Sequence, residues 1–157
     1  MEESTLIEAK NLKELRSKLV NARGIIIVSG GNEFINRFAL EDKRVDILLN
    51  PEKNTDKDFM HARNSGLNHI LCNIANKNSK GIGVNFNYLL DMGEHERIRT
   101  LGRIMQNIKL CRKYKVNVFI VNIIKKWSDE RSTKDLKSFA TVLGLDINED
   151  KIIKIKA

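Results

Sequence analysis

The strongest constraint on this chain is a short apolar run that recurs without polar alternation. Ile25-Ile26-Ile27-Val28, opened by Gly24 and closed by Gly30-Gly31, is the clearest copy. A strand with one wet face alternates polar and apolar residues, whereas an unbroken run suits a parallel strand covered on both faces. Val45–Leu49 (VDILL), Gly81–Phe86 (GIGVNF) and Val116–Ile124 (VNVFIVNII) read as further buried strands, and Thr5–Glu8 (TLIE) as a strand or the tail of one.

Segments of helical period lie between them. Asn11 caps a helix whose apolar face is Leu12, Leu15, Leu19 and Val20. Asn32 starts a short helix through Ile35, Phe38 and Ala39, and Asn68 caps another carrying Ile70, Leu71, Ile74 and Ala75. A helical turn follows at Asn87–Leu90. Glu94–Tyr114 is the longest helix, with Ile98, Leu101, Ile104, Met105, Ile108 and Cys111 as its apolar stripe. Ser132 and Asp135 have capping-box spacing ahead of Leu136, Phe139, Ala140 and Leu143, and Gly144 ends that helix. The tail, Asn148–Ala157, alternates Ile with Lys and fits a helix or an edge strand.

Strand followed by helix, about five times over with short connections, implies an α/β fold of parallel strands joined by right-handed crossovers. A complete eight-stranded βα barrel takes roughly 200 residues or more. With 157 residues, the expectation is one βα-repeat domain over 1–157, either an open sheet or an incomplete TIM-barrel-like fold. The start in mid-pattern points to an absent N-terminal strand-helix unit.

A formal net charge of +8 and a pI near 9.6 favour a polyanionic partner such as nucleic acid; a lysine-rich solvated surface is the other reading. No apolar run approaches a membrane span, and Met1-Glu2-Glu3-Ser4 is unlike a signal peptide. Cys72 and Cys111 fall inside helical patterns without metal-type spacing, which suits reduced, buried thiols in a cytoplasmic protein.

Chemistry-bearing residues concentrate in Val45–Lys77. Asn50-Pro51 breaks the strand, and the loop that follows carries Lys53, Lys57, Asp58, His61 and Arg63. In a βα architecture such a loop lies where function collects. His61 and His69, with Asp46 and Asp58, invite a metal-site reading, but HxH and HExxH are absent and His95 sits on another helix. Ordering of the loop is the preferred role for His69. Gly30-Gly31 resembles the start of a phosphate-cradling turn whose remaining glycines are missing. On the long helix Arg99, Arg103 and Lys113 share the side opposite the apolar stripe, with Gln106 between, and either track phosphates or form a solvated face. Glu94 and Glu96 suit the helix dipole, and Arg112 snorkels beside the stripe. Aromatics are 6% and fall mostly at expected core positions, so no stacking platform for single-stranded RNA is expected. No Ser-His-Asp or Cys-His signature appears.

The runs GGNEFINRFALEDKRVDILLNPE, RNSGLNHILCNIANKN, IGVNFNYLL, RIMQNIKLCRKYKVNVFIV and RSTKDLKSFATVLGL together resemble the ribonuclease P p30 family, whose archaeal members are the third protein component of that enzyme. The resemblance runs from about Leu6 onward, and NSGLNHILCNIA is its most specific part. It implies an incomplete barrel related to metal-dependent phosphoesterases that has lost their histidine motif. Such a protein carries no catalytic residues and no metal of its own; the catalytic RNA uses Mg2+ to remove the 5′ leader from precursor tRNA. The implied partners are the ribonuclease P RNA, precursor tRNA indirectly and a second protein subunit, with no membrane. The positions carried over by matching segments for RNA contact are Arg37, Arg63, His69, Lys77, Lys113, Arg131 and Lys151. Asp135 is carried over as an ordering residue, and Asp46 is assigned the same role. The alternative is a small metal-dependent phosphoesterase using His61, His69 and aspartates at strand ends.

Overall fold

The computed structural model describes residues 3–54 and 56–157. In chain order the elements are β1 (Ser4–Ile7), α1 (Leu12–Leu19), β2 (Ile25–Ser29), α2 (Glu33–Glu41), β3 (Ile47–Leu49) and α3 (His69–Lys77). They continue as β4 (Gly81–Asn85), α4 (Phe86–Leu90), α5 (Glu94–Lys113), β5 (Asn117–Ile124), α6 (Thr133–Val142) and β6 (Ile152–Lys156). Single 3-10 turns occupy Trp127–Asp129 and Glu149–Lys151.

The six strands form one all-parallel sheet in the order β1-β2-β3-β4-β5-β6, with Ile27 opposite Ile47, Leu49 opposite Gly83 and Val121 opposite Ile153. Sequential order with helical crossovers curls this sheet into a barrel that nearly closes. Its one unsealed seam lies between β1 and β6, where a cleft of about 730 Å³ is lined by Ser4–Glu8 from one side and Ile155–Ala157 from the other. The tail is therefore a strand, β6, held by β5 along one edge only.

Alternation along the buried strands builds two cores. Val28, Leu48, Ile82 and Ile120 point outward beneath the helices and join Leu15, Leu40, Ile104 and Leu136 in the larger one. Ile27, Ile47, Leu49, Val121, Ile123 and Ile155 fill the barrel interior. Strand β4 turns Gly81 and Gly83 toward that interior. A Cβ on Gly83 would lie 2.9 Å from Leu49 Cδ1 and 3.3 Å from Val121 Cγ2, so side chains of β3 and β5 meet across it. The abundant asparagines mark helix starts: Asn11, Asn32, Asn68 and Asn85 each accept a backbone N–H of the first turn, as does Ser132 for α6. Each such cap is worth about 1 kcal/mol.

Several residues leave the faces expected of them. Val20, Ile70, Ile98 and Met105 are exposed. The buried face of α5 is instead Thr100, Arg103, Ile104, Asn107, Ile108 and Cys111, because a long loop covers the polar flank of this helix. Phe34, Phe59 and Trp127 stand in solvent, and no aromatic residue reaches full burial. The expectation that aromatics fall mostly at core positions is met only by partly buried rings such as Phe86 and Phe139; the fully buried core is aliphatic. Cys72 and Cys111 are buried and free, and their mutual hydrogen bond together with burial pushes the Cys111 thiol up.

Gly83→Val introduces bulk at a point already closed by Leu49, Ile47 and Val121. Overpacking of this kind costs about 1–3 kcal/mol. Urea unfolding should show a lower midpoint at unchanged slope; an unchanged midpoint contradicts the interior packing described.

Candidate functional site

In an all-parallel barrel every residue that follows a strand lies at one end and every residue that precedes one lies at the other. The carboxyl-terminal end is dominated by the loop between β3 and α3. It begins at Asn50, whose φ of 49° turns the chain out of the strand, and asparagine tolerates that left-handed region better than most residues. The Asn50 side chain accepts the Asn85 N–H at 3.0 Å, tying the turn to β4.

Arg103 holds this loop. Its side chain is 2% exposed, and a buried guanidinium survives only with its donors matched. Nε donates to Asp58 Oδ1 at 2.9 Å, Nη1 to the Glu52 and Asn54 carbonyls at 3.3 and 3.2 Å, and Nη2 to the Asp56 carbonyl at 2.6 Å. One turn on, Gln106 bonds both the N–H and the C=O of Arg63, and Asn107 donates to the Ser65 carbonyl at 2.9 Å. From the other side the Asn36 amide reaches the Pro51 and Gly66 carbonyls. Gly66, at φ 78°, lets the loop close, since a Cβ there would strike the Pro51 carbonyl oxygen. Arg103 therefore does not share a solvated row with Arg99 and Lys113. The sequence signal was the polar trio 103, 106 and 107, spaced i, i+3, i+4 alongside Ile104 and Ile108. Charge alone assigned Arg103 to water, because arginines are seldom fully buried.

Two carboxylates beneath the loop behave oppositely. Burial works to raise Asp58, but the Asn64 N–H, Arg103 and Arg63 outweigh it and hold Asp58 below the usual carboxylate range. Glu52 is 3% exposed, and burial pushes its carboxyl up to about 7 against the pull of a backbone N–H, Arg103 and Lys53. Its Oε1 has no partner among the described residues, and neither does Asn107 Oδ1.

A second ordered loop follows β5. The Asn122 side chain, fully buried, donates to the Asp129 carbonyl and accepts the Arg131 N–H, both at 2.9 Å. Asn87 donates to the same Asp129 carbonyl at 2.9 Å. The Asp129 carboxylate in turn accepts the N–H groups of Lys125 and Lys126. Arg131 Nη1 returns to the Ser128 carbonyl at 2.7 Å, and its guanidinium lies over the Phe86 ring at 5.9 Å.

The residues expected to contact RNA divide between the two ends. Arg63, His69 and Arg131, with Asp135 in the first turn of α6, lie at the carboxyl-terminal end. Lys77 and Lys113 close α3 and α5, and Lys151 precedes β6, so these three lie at the opposite end with Asp46. There the Asn76 side chain bonds the Lys115 carbonyl at 3.1 Å, drawing the exposed Lys77, Lys113 and Lys115 into one region. Arg37 stands midway along α2, exposed and paired with Glu41 at 2.8 Å. Asp46 accepts the Ile26 N–H at 2.8 Å and so fastens β3 to β2, and the Asp135 N–H is capped by Ser132. Lys151 Nζ lies 5.0 Å from the centre of the Phe119 ring.

This placement removes the metal reading of His61, His69, Asp46 and Asp58. Asp46 is at the wrong end of the barrel, Asp58 is committed to Arg103, and both histidines face solvent. Among the described residues no three His, Cys, Asp or Glu side chains converge on one point. Nor do Gly30 and Gly31 cradle phosphate: their N–H groups are taken by the Leu49 carbonyl and Asn36 Oδ1. What the arrangement offers is fixed loops and exposed cations at both ends, suited to binding an extended polyanion.

Comparison with known proteins agrees with that geometry. The family profile described as RNase P subunit p30 matches residues 5–153. Ribonuclease P protein component 3 of Methanosarcina acetivorans is 36% identical over 138 residues, 88% of this chain and 54% of that protein. The component 3 of Methanocaldococcus jannaschii is 32% identical over 151 residues, 94% of this chain and 62% of that protein. A chain in a cryo-EM structure of archaeal ribonuclease P with mature tRNA superimposes with a TM-score of 0.76 at 31% identity, covering 94% of this chain and 62% of that one. The chain thus spans between 54% and 62% of the length of these relatives.

Two substitutions probe the loop anchorage. Arg103→Lys keeps the charge but loses the fork, leaving loop carbonyls unbonded, and should cost about 3 kcal/mol or more in urea unfolding; near-wild-type stability contradicts the anchor. Glu52 titrates at about 7 when folded against an ordinary 4.5. The folded state therefore holds its proton more tightly, and the stability this gives is complete below 4.5 and lost as pH rises through 7. The difference, 7 minus 4.5, corresponds to roughly 3 kcal/mol. Glu52→Gln should thus match wild type near pH 4 and exceed it by pH 8. Parallel pH–stability curves for the two proteins contradict a buried protonated Glu52.

Proposed function

Because this chain belongs to the ribonuclease P p30 family, we propose that it is an RNA-binding protein subunit of ribonuclease P, assisting the catalytic RNA in removing the 5′ leader from precursor tRNA. The observation that carries this reading is the superposition on a chain of archaeal ribonuclease P at 94% coverage, joined to exposed cations at both barrel ends. The chain supports the RNA rather than performing chemistry. Arg63, His69 and Arg131 contact RNA at one end, Lys77, Lys113 and Lys151 at the other, and Arg37 along the flank. Asp46 and Asp135 order the backbone beside them. Mg2+ belongs to the catalytic RNA in this reading; of the two aspartates grouped with the histidines, Asp58 is committed to Arg103 and Asp46 to the Ile26 N–H. Precursor tRNA is reached indirectly, and a second ribonuclease P protein subunit shares the complex. The buried free thiols suit the cytoplasm.

Reconstitution tests this directly. Adding the chain to an archaeal ribonuclease P RNA with its other protein subunits should raise cleavage of precursor tRNA several-fold. Arg63→Ala or Arg131→Ala should remove much of that gain. Full cleavage without the chain, or phosphatase activity by the chain alone, contradicts the proposal.

A further inference from the structure

The loop between β5 and α6 displays Trp127, the only tryptophan in the chain, with 90% of its surface in water. A large indole left in solvent forgoes the burial that normally stabilises it. Here the exposure is not that of a loose loop. Trp127 opens the 3-10 turn, and the Glu130 N–H bonds back to its carbonyl. The flanking backbone is pinned by the Asp129 carboxylate to Lys125 and Lys126, by Asn87 and Asn122 to the Asp129 carbonyl, and by Asn122 to Arg131. The side chain is thus presented on a prearranged platform, so little order remains to be imposed on binding.

Its neighbours specify the partner. Lys125 and Lys126 precede it, Lys134 follows in the first turn of α6, and all three are exposed. Among the described residues none of them forms an ion pair; the Asp129 carboxylate is spent on backbone N–H groups, and the exposed Glu130 and Asp135 leave a net positive surround. Among the described residues no cation lies over the indole, and the ring is open to solvent. An open aromatic face beside unpaired lysines matches a nucleotide, with the base on the ring and the phosphates on the ammonium groups. A protein anchor would want an apolar surround, whereas this one is cationic.

We propose that Trp127 stacks on an unpaired base of single-stranded RNA while Lys125, Lys126 and Lys134 hold the adjacent phosphates. This rests on the RNA-binding reading above and adds to it the recognised feature, an unstacked nucleotide rather than a duplex.

Because Trp127 is the sole tryptophan, the full chain's tryptophan fluorescence, excited selectively beyond the tyrosine band, reports on this site alone. Titration with the single strand rA12 should quench it, and a 12-base-pair RNA duplex should not. In anisotropy titrations with labelled rA12, Trp127→Leu should weaken binding roughly 5- to 150-fold and Trp127→Phe by much less. Salt-dependent binding of both RNAs without quenching, or equal affinity of Trp127→Leu, overturns the stacking site and leaves the RNA-binding reading standing. Binding of neither RNA overturns both. If Trp127→Leu binds rA12 normally but fails to join the other protein subunits in reconstitution, the indole is a protein anchor and the proposal is wrong.

Discussion

The buried guanidinium of Arg103 is the interaction on which the carboxyl-terminal end depends. It satisfies the carbonyls of residues 52, 54 and 56 and the carboxylate of Asp58 from a single position on α5. A polar loop of this length would otherwise carry buried carbonyls with no donors, a cost that disfavours packing it against a helix. Arginine is suited to the task because its fork presents several donors in one plane. Once Arg103 is in place, Gln106 and Asn107 continue the contact along the same helix, and Asn36 closes it from α2. Asp58 is then held by Arg103 and Arg63.

The two ends use different means. At the carboxyl-terminal end, order comes from side chains that satisfy loop backbone: Arg103 beneath one loop, Asn122 and Asn87 beneath the other. At the amino-terminal end, the cations sit where helices stop, at Lys77 and Lys113, and a terminal lysine also complements the helix dipole. An RNA that touched both ends would have to wrap the barrel flank, along which Arg37 is exposed.

The strand-helix order, the parallel sheet and nearly every cap were legible in the sequence, because unbroken apolar runs and Asn before a periodic segment report local physics. Counting units left an open sheet or an incomplete barrel, and the resemblance to the p30 family pointed to the barrel. What escaped was set by contacts distant in the chain. Ile98 and Met105 obey the helical period yet lie outside, because the loop covers the adjacent arc of α5 and brings Arg103 and Asn107 inside. Nothing local marks Glu52, and only its packing among residues of β4 and α5 makes it a buried acid. Trp127 carries no local signal beyond its neighbours Lys125 and Lys126, which suit a surface loop.

The central claim is that this barrel binds an RNA backbone through cations at its two ends, and the salt dependence of its affinity for ribonuclease P RNA tests it most directly. Each phosphate contact adds close to one unit of slope to log affinity against log salt. The account predicts a steep slope that falls by about 1 for Lys77→Ala and again for Lys113→Ala. A slope near zero, or one indifferent to both lysines, contradicts it.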